Sequence, residues 1–241
     1  MNKGKLIYFS SIDGNEYFPY LISWLESLTS VSVEDDKIVI FYSDIDQFLI
    51  KIVKETYSNV SFLKKKIDSS YKYLSRNQKV PLKLKSWIKF LNQNEEDSQI
   101  IFLDIDLVFK QRPDFFQKNN NSDLFLTLRE GRWPLNTGVI GVRVNQNIKN
   151  LFEIWLLQTE KLVQNIKVLE KGLKESGGGS QHTLIKILGR ENLIFDNISN
   201  NLSNNIDIGN NKTLRVKLLN CNEFNCDKPD QNPNAKIIHY K

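Results

Sequence analysis

With 241 residues, 40% of them hydrophobic and 25% charged, the chain has the size and composition of an ordinary globular protein that buries a sizeable core. A net charge of +5 and a pI near 9.0 favour anionic partners such as nucleotides, phosphates or an acidic membrane face. The basic residues are dispersed, so nucleic acid is not expected; the one run, Lys64-Lys65-Lys66, reads as a solvated helix end. Cys221 and Cys226 lack neighbouring histidines, which excludes a zinc pattern and suits reduced thiols. No signal peptide opens the chain, and no apolar run reaches the ~20 residues that span a bilayer. A cytoplasmic protein with at most peripheral membrane contact is expected.

In chain order, "KLIYFS" (5–10) reads as a first strand. Tyr17, Tyr20, Leu21, Trp24, Leu25 and Leu28 then recur at helical spacing. "KIVIFY" (37–42) predicts a second strand, "QFLIKIVKETY" a second helix and "VSFL" (60–63) a third strand. Residues 69–94 have helical character, divided at Pro81. "QIIFLD" (99–104) is nearly all apolar, as a strand buried on both faces would be. This alternation predicts an α/β domain with a mostly parallel sheet.

The second half reads differently. "DLFLTL" (123–128) and "GVIGVRV" (138–144) are strands with no helix between them. One long helix carries Ile148, Leu151, Phe152, Trp155, Leu162, Ile166 and Leu169, and ends in a glycine loop at 177–179. Residues 197–213 form a polar loop, and "LRVKLL" and "KIIHY" are late strands. No repeat or linker interrupts the chain, so a single domain over 1–241 is expected.

The tripeptide Asp-Ile-Asp occurs twice, each time after an apolar run. At 44–46 it leads into a helix, and Asp44 with Gln47 has the spacing of a capping box. At 104–106 no helix follows. In an extended segment Asp104 and Asp106 point to one side while Ile105 turns to the core. Two such charges about 6 Å apart repel by roughly 3 kcal/mol at an effective dielectric of 20. A hard divalent cation, Mn²⁺ or Mg²⁺, would neutralise them. The second triplet is therefore the candidate site. A haloacid-dehalogenase-like phosphatase, with Asp104 as nucleophile and Thr127 and Lys186 recruited, is an alternative. Its late pair of acidic residues is not apparent, since Asp196, Asp207 and Asp227 each lack an adjacent acidic residue.

Further motifs resemble another family. "YFSSIDGNEYFPYLISWLESL", the Lys-x-x-x-Trp of "LKLKSWIKFL", "FLDIDLVF", "LNTGVIGVR", "SGGGSQHTL" and "KIIHYK" follow, in order, motifs of metal-dependent GT-A-fold glycosyltransferases of the glycogenin and lipopolysaccharide-galactosyltransferase kind. The resemblance implies a GT-A α/β fold, with a mixed, mostly parallel central sheet flanked by helices. It implies a nucleotide-binding half over about 1–110 and an acceptor and sugar half over about 111–241. By the same resemblance Ser11, Asp13 and Tyr17 lie near the nucleotide and Lys83 near its phosphates. Asp104, Asp106 and His239 would hold the Mn²⁺ or Mg²⁺ ion, with Asp104 also facing the donor. Gly178 and Gly179 would sit beside the donor sugar, and Asn136 and Gln181 would act on it. The implied partners are a nucleotide-diphosphate sugar (UDP favoured over GDP) and a glycan or glycolipid acceptor. The sequence departs from the family at Ser180, where an Asp is usual, and after His239, where a Gly and a Lys are usual.

Overall fold

A computed structural model describes residues 5–65, 79–116, 121–131, 134–176, 178–194, 198, 204–209 and 212–240. The first half alternates strand and helix: β1 (Ile7–Asp13), α1 (Phe18–Val31), β2 (Lys37–Ser43), α2 (Gln47–Thr56), β3 (Val60–Lys64), α3 (Val80–Asn92) and β4 (Gln99–Leu103). These strands are parallel and ordered β3-β2-β1-β4. β4 is buried between neighbours on both sides, which explains its unbroken apolar run. The chain builds outward from β1 to β3, then returns through α3 to add β4 on the other side. Such a reversal leaves a crevice at the carboxyl ends of the two central strands. Ser10 Oγ donates to the Leu103 carbonyl at 2.9 Å and ties those strands together.

The helices cover the sheet through narrow apolar stripes. α1 buries Leu21, Trp24, Leu25 and Leu28, while Tyr20, expected on that face, is about half exposed. α3 buries Leu84, Trp87 and Leu91, and Trp87 stacks on Phe102 of β4 with centroids 4.7 Å apart. Pro81 lies in the first turn of α3, where no N–H is needed, so it opens this helix rather than dividing one. The earlier part of the expected helical stretch, 69–78, lies outside the described residues.

In the second half, β5 (Leu107–Phe109) leaves the main sheet and pairs antiparallel with β10 (Ile237–His239). β6 (Leu124–Leu128) and β7 (Leu135–Arg143) extend the main sheet beyond β4, and β9 (Thr213–Asn220) and β8 (Asn204–Asp207) complete it. The eight strands run β3-β2-β1-β4-β7-β6-β9-β8 in one continuous mixed sheet. Arg112 holds the segment after β5 against the amino-terminal half through a two-pronged ion pair with Asp36, 2.8 Å on each prong. Among the described residues no helix is long and apolar enough to cross a membrane.

Several expectations need correction. The single long helix is two, α4 (Gln146–Gln164) and α5 (Ile166–Ser176), separated by Asn165. Asn165 Oδ1 accepts from Val168 N at 3.2 Å, and such local bonding favours a new cap over an unbroken helix. The glycine stretch is no loop after Gly178: α6 (Gly179–Leu188) starts at once, so Gly179, Ser180 and Gln181 form its first turn. Gly177 lies outside the described residues. The polar stretch 197–213 contains the edge strand β8. The lysine run ends a strand, because Lys64 is the last residue of β3 and Lys65 follows it.

Candidate functional site

The first Asp-Ile-Asp triplet does cap a helix, but through its last residue. Asp46 is the N-cap of α2 and accepts from Phe48 N at 2.8 Å. Asp44 instead adopts a left-handed conformation with φ 51°, so the expected Asp44–Gln47 capping box does not form. Ser43 Oγ is turned toward Asp13, with which it shares a short hydrogen bond.

The second triplet sits at the end of β4, beside the β1/β4 crevice. Its backbone does not run straight on: the chain turns at 105–106 and re-enters extended structure as β5. Ile105 is buried, as alternation predicts. Two contacts hold the turn. Asp104 N donates to the Gly138 carbonyl of β7 at 2.8 Å, and Tyr240 N donates to the Asp106 carbonyl at 2.9 Å. The pairing of β5 with β10 sets His239 opposite Leu107. One ligand atom from each of Asp104, Asp106 and His239 then lies within 4.8 Å of the others.

Charges at this centre are already compensated. Lys83, projecting from α3, makes a close ion pair with Asp104 and lies over the Trp87 ring at 4.7 Å. His239 Nε2 approaches Asp106 Oδ1 at 3.2 Å. Burial works to raise the Asp106 carboxyl, but the hydrogen bond and charge of His239, with Lys83 further out, outweigh it. The carboxyl is held below the usual range. His239 is buried, whereas the three partners Lys83, Asp104 and Asp106 each keep about 30% of their side chains open.

Asp13, at the end of β1, pairs with Lys65 Nζ at 2.8 Å. Lys65 was hidden in the sequence by the run around it, yet its side chain is only 9% exposed. Ser11 and Tyr17 are half-buried, on β1 and on the single helical turn Asn15–Tyr17 that follows Gly14. These groups gather at the carboxyl end of β1, on the same edge of the sheet as Asp104.

Asn136 and Gln181 differ in how their amides are used. The Asn136 side chain is buried and committed: Oδ1 accepts from Gly138 N at 3.0 Å, and Nδ2 reaches Cys221 Sγ at 3.8 Å. It shapes a bulge in β7, where Leu126 pairs with Ile140 but Thr127 pairs with Asn136. Gln181 Oε1 is buried with no hydrogen-bond partner, an expensive state that a ligand hydroxyl would relieve. Gly178, the N-cap of α6, has room for a side chain, whereas a Cβ on Gly179 would press on Leu169 Cδ1 at 3.2 Å. Ser180 accepts from Trp155 Nε1 through its carbonyl at 2.8 Å.

The described residues that a phosphatase would recruit late in the chain are engaged elsewhere or exposed. The Thr127 hydroxyl is buried and donates to the Asn136 carbonyl, Asp207 is exposed on β8, and Asp227 pairs with Arg129 at 3.5 Å. Asp196 lies outside the described residues.

The sequence matches no protein-family profile, and no curated relative matches it. Solved structures do match in fold. The glycosyltransferase GlyE of Streptococcus pneumoniae TIGR4 superposes with a TM-score of 0.58 at 16% identity, over 99% of this chain and 55% of GlyE. The galactosyltransferase LgtC, solved with donor and acceptor sugar analogues, gives 0.56 at 12% identity, over 98% of this chain and 87% of LgtC. The bifunctional glycosyltransferase WbbM gives 0.57 at 12%, over 99% of this chain and 46% of WbbM. The chain thus spans about half the length of GlyE and of WbbM. It has the GT-A fold that the motifs implied, an α/β architecture with a mostly parallel central sheet flanked by helices.

Proposed function

We propose that the protein is a glycosyltransferase that moves a sugar from a nucleotide-diphosphate donor, with UDP favoured, to a glycan or glycolipid acceptor. The observation that carries this reading is the convergence of Asp104, Asp106 and His239, from two distant parts of the chain, at the β1/β4 crevice of a GT-A fold. LgtC, which shares that fold, was captured with donor and acceptor sugar analogues.

The donor set suits Mn²⁺ or Mg²⁺. Two carboxylates and one imidazole provide hard and borderline ligands. The depressed carboxyl of Asp106 favours the charged form that a cation needs. A bound divalent ion would offset the charge that develops on the departing nucleotide diphosphate. Lys83 already answers the charge of Asp104, and its flexible ammonium is suited to turn toward donor phosphates. Gln181 presents a buried amide oxygen that would accept from a sugar hydroxyl. Support for that role is that LgtC has an active-site glutamine, whose change to glutamate is described in a structure of the same fold. Asn136 acts through the bulge that places Gly138, and Asp13, Ser11 and Tyr17 line the path expected for the nucleoside. Gly178 has room for a side chain, which suits a place beside the donor sugar. A cytoplasmic location, at most touching an anionic membrane face, fits the basic charge.

The test is titration with UDP and with GDP, each with and without Mn²⁺, followed by an assay of donor hydrolysis. The proposal expects UDP binding that depends on Mn²⁺ and slow release of sugar from a UDP-sugar. Binding indifferent to metal would sink the assignment. Tight metal-dependent binding without any turnover would favour a sugar-nucleotide-binding module, the reading that Ser180 in place of a carboxylate would support.

A further inference from the structure

We infer that Asn225 is a positioning residue that sets which ring nitrogen of His239 faces the metal, an inference that rests on the metal-centre reading above. The argument begins at a group whose role is not adjustable. The backbone carbonyl of Asn136 can only accept, and the Thr127 hydroxyl donates to it at 2.8 Å. With its proton so used, Thr127 Oγ1 accepts from Asn225 Nδ2 at 3.0 Å. The other end of that amide, Asn225 Oδ1, faces His239 Nδ1 at 2.9 Å. An amide oxygen can only accept, so Nδ1 must carry a proton. Turning the amide over would cost Asn136 its hydroxyl donor. Thr127 and Asn225 are both fully buried, so no solvent competes for these bonds.

With Nδ1 bonded to Asn225, Nε2 is the nitrogen that faces Asp106, 3.2 Å from its Oδ1, and the one a cation would take from that carboxylate. Ring orientation is fixed by the same neighbours. Cys226 runs beside β10, its N–H donating to the Ile237 carbonyl and its carbonyl accepting from His239 N. That contact sets Asn225 against the imidazole. Gly138 leaves room for this contact: a Cβ there would come within 3.0 Å of His239 Cε1 and 3.1 Å of Asn225 Oδ1. The bulge that Asn136 shapes thus serves the same histidine. Outer partners of this kind commonly change metal affinity by about 10–100-fold when removed.

The protein has two histidines, which makes the test direct. ¹⁵N-histidine-labelled, metal-free protein is examined by NMR in mildly alkaline buffer, and Mn²⁺ affinity is measured calorimetrically in parallel. The expected result is a His239 ring with a proton on Nδ1, whether or not the Asp106 carboxylate also holds one on Nε2. Asn225→Ala should disperse the tautomer toward Nε2–H and weaken Mn²⁺ binding by about 10–100-fold. Asn225→Asp, which keeps the accepting oxygen, should restore both. Thr127→Val, which keeps shape but removes the hydroxyl that orients the amide, should shift the tautomer part of the way. The His182 resonances, unchanged, certify the fold of each variant. A wild-type ring with no proton on Nδ1 overturns the proposal without recourse to any variant. So does a folded Asn225→Ala protein with wild-type Mn²⁺ affinity. A wild-type protein that keeps Nδ1–H but binds no Mn²⁺ overturns the metal centre, and the role of Asn225 with it; the intact Nδ1 signal identifies that failure as one of the functional reading.

Discussion

The two Asp-Ile-Asp triplets share a sequence, an apolar strand before them and a place at the carboxyl edge of the sheet, yet they do different work. Asp44–Asp46 is spent locally. Its middle residue is buried, its first takes a left-handed turn and its last caps α2 within two residues. Asp104–Asp106 meets its partners from far away: Gly138 on β7, Lys83 on α3 and His239 on β10. On the function proposed above, a carboxylate pair becomes a site through what the fold delivers to it. A helix following at once uses the charge; a turn into a strand that pairs with the distant carboxyl-terminal segment leaves it for a ligand.

The strongest break of this comparison is substitution of the second triplet. Asp106→Asn or Asp104→Asn should abolish Mn²⁺-dependent nucleotide binding, since an amide oxygen supplies no charge. Isothermal titration with UDP and Mn²⁺ measures it, and full binding by both variants would show that the wrong carboxylates were chosen. Asp106 should also mark the protein's response to acid. Its pKa is lowered in the folded state, so its contribution to stability is present above the ordinary carboxylate value and is lost as pH falls through the depressed one. Metal-free wild type should therefore lose melting temperature more steeply than Asp106→Asn as pH falls below about 4. Parallel melting profiles would remove the His239–Asp106 interaction as a stabilising one.

A finer test concerns Lys83. It stands beside Asp104 where a metal would supply positive charge, so Lys83→Met should not weaken bare Mn²⁺ binding and should strengthen it by at most about fivefold, the worth of a partly exposed ion pair. The same change should weaken binding of UDP with Mn²⁺, because the diphosphate loses a cation. If both affinities moved in one direction, Lys83 would be a packing partner of Trp87 rather than an exchanger between carboxylate and phosphate.

Much of the scaffold was legible because its signals are local. β1, β2 and β4 are apolar runs, and the stripe of α1 around Trp24 has helical spacing. The second triplet stood out because no helix followed it. What escaped depends on tertiary context. Nothing in the polar stretch 197–213 announces β8, which is a strand because β9 offers it an open edge. Asn165 breaks the long helix through a single side-chain bond that apolar periodicity does not register. Asn225 is one asparagine among many, and only the β-bulge at Asn136 and the return of β10 make it a partner of His239. Lys65 was concealed in a basic run, and its pairing with Asp13 requires β1 and β3 to end on the same edge.

The smallest expected effects belong to the first triplet, and they separate its two acids. Asp46→Ala removes the acceptor for Phe48 N and should cost about 1 kcal/mol of stability, a fall of roughly 2–4 °C in melting temperature for a chain of this size. Catalytic and metal-binding parameters should not change. Asp44→Asn should be nearly silent in both respects, because Asn tolerates a φ of 51° about as well as Asp does. Asp44→Val, at the same position, must hold a β-branched residue in that left-handed conformation and should lose about 1–2 kcal/mol while leaving UDP and Mn²⁺ affinity intact. Thermal melts and titrations on the three variants form one experiment. A silent Asp44→Val would mean the turn relaxes freely, whereas loss of nucleotide binding in Asp44→Asn would make the first triplet part of the donor site and erase the distinction between the two.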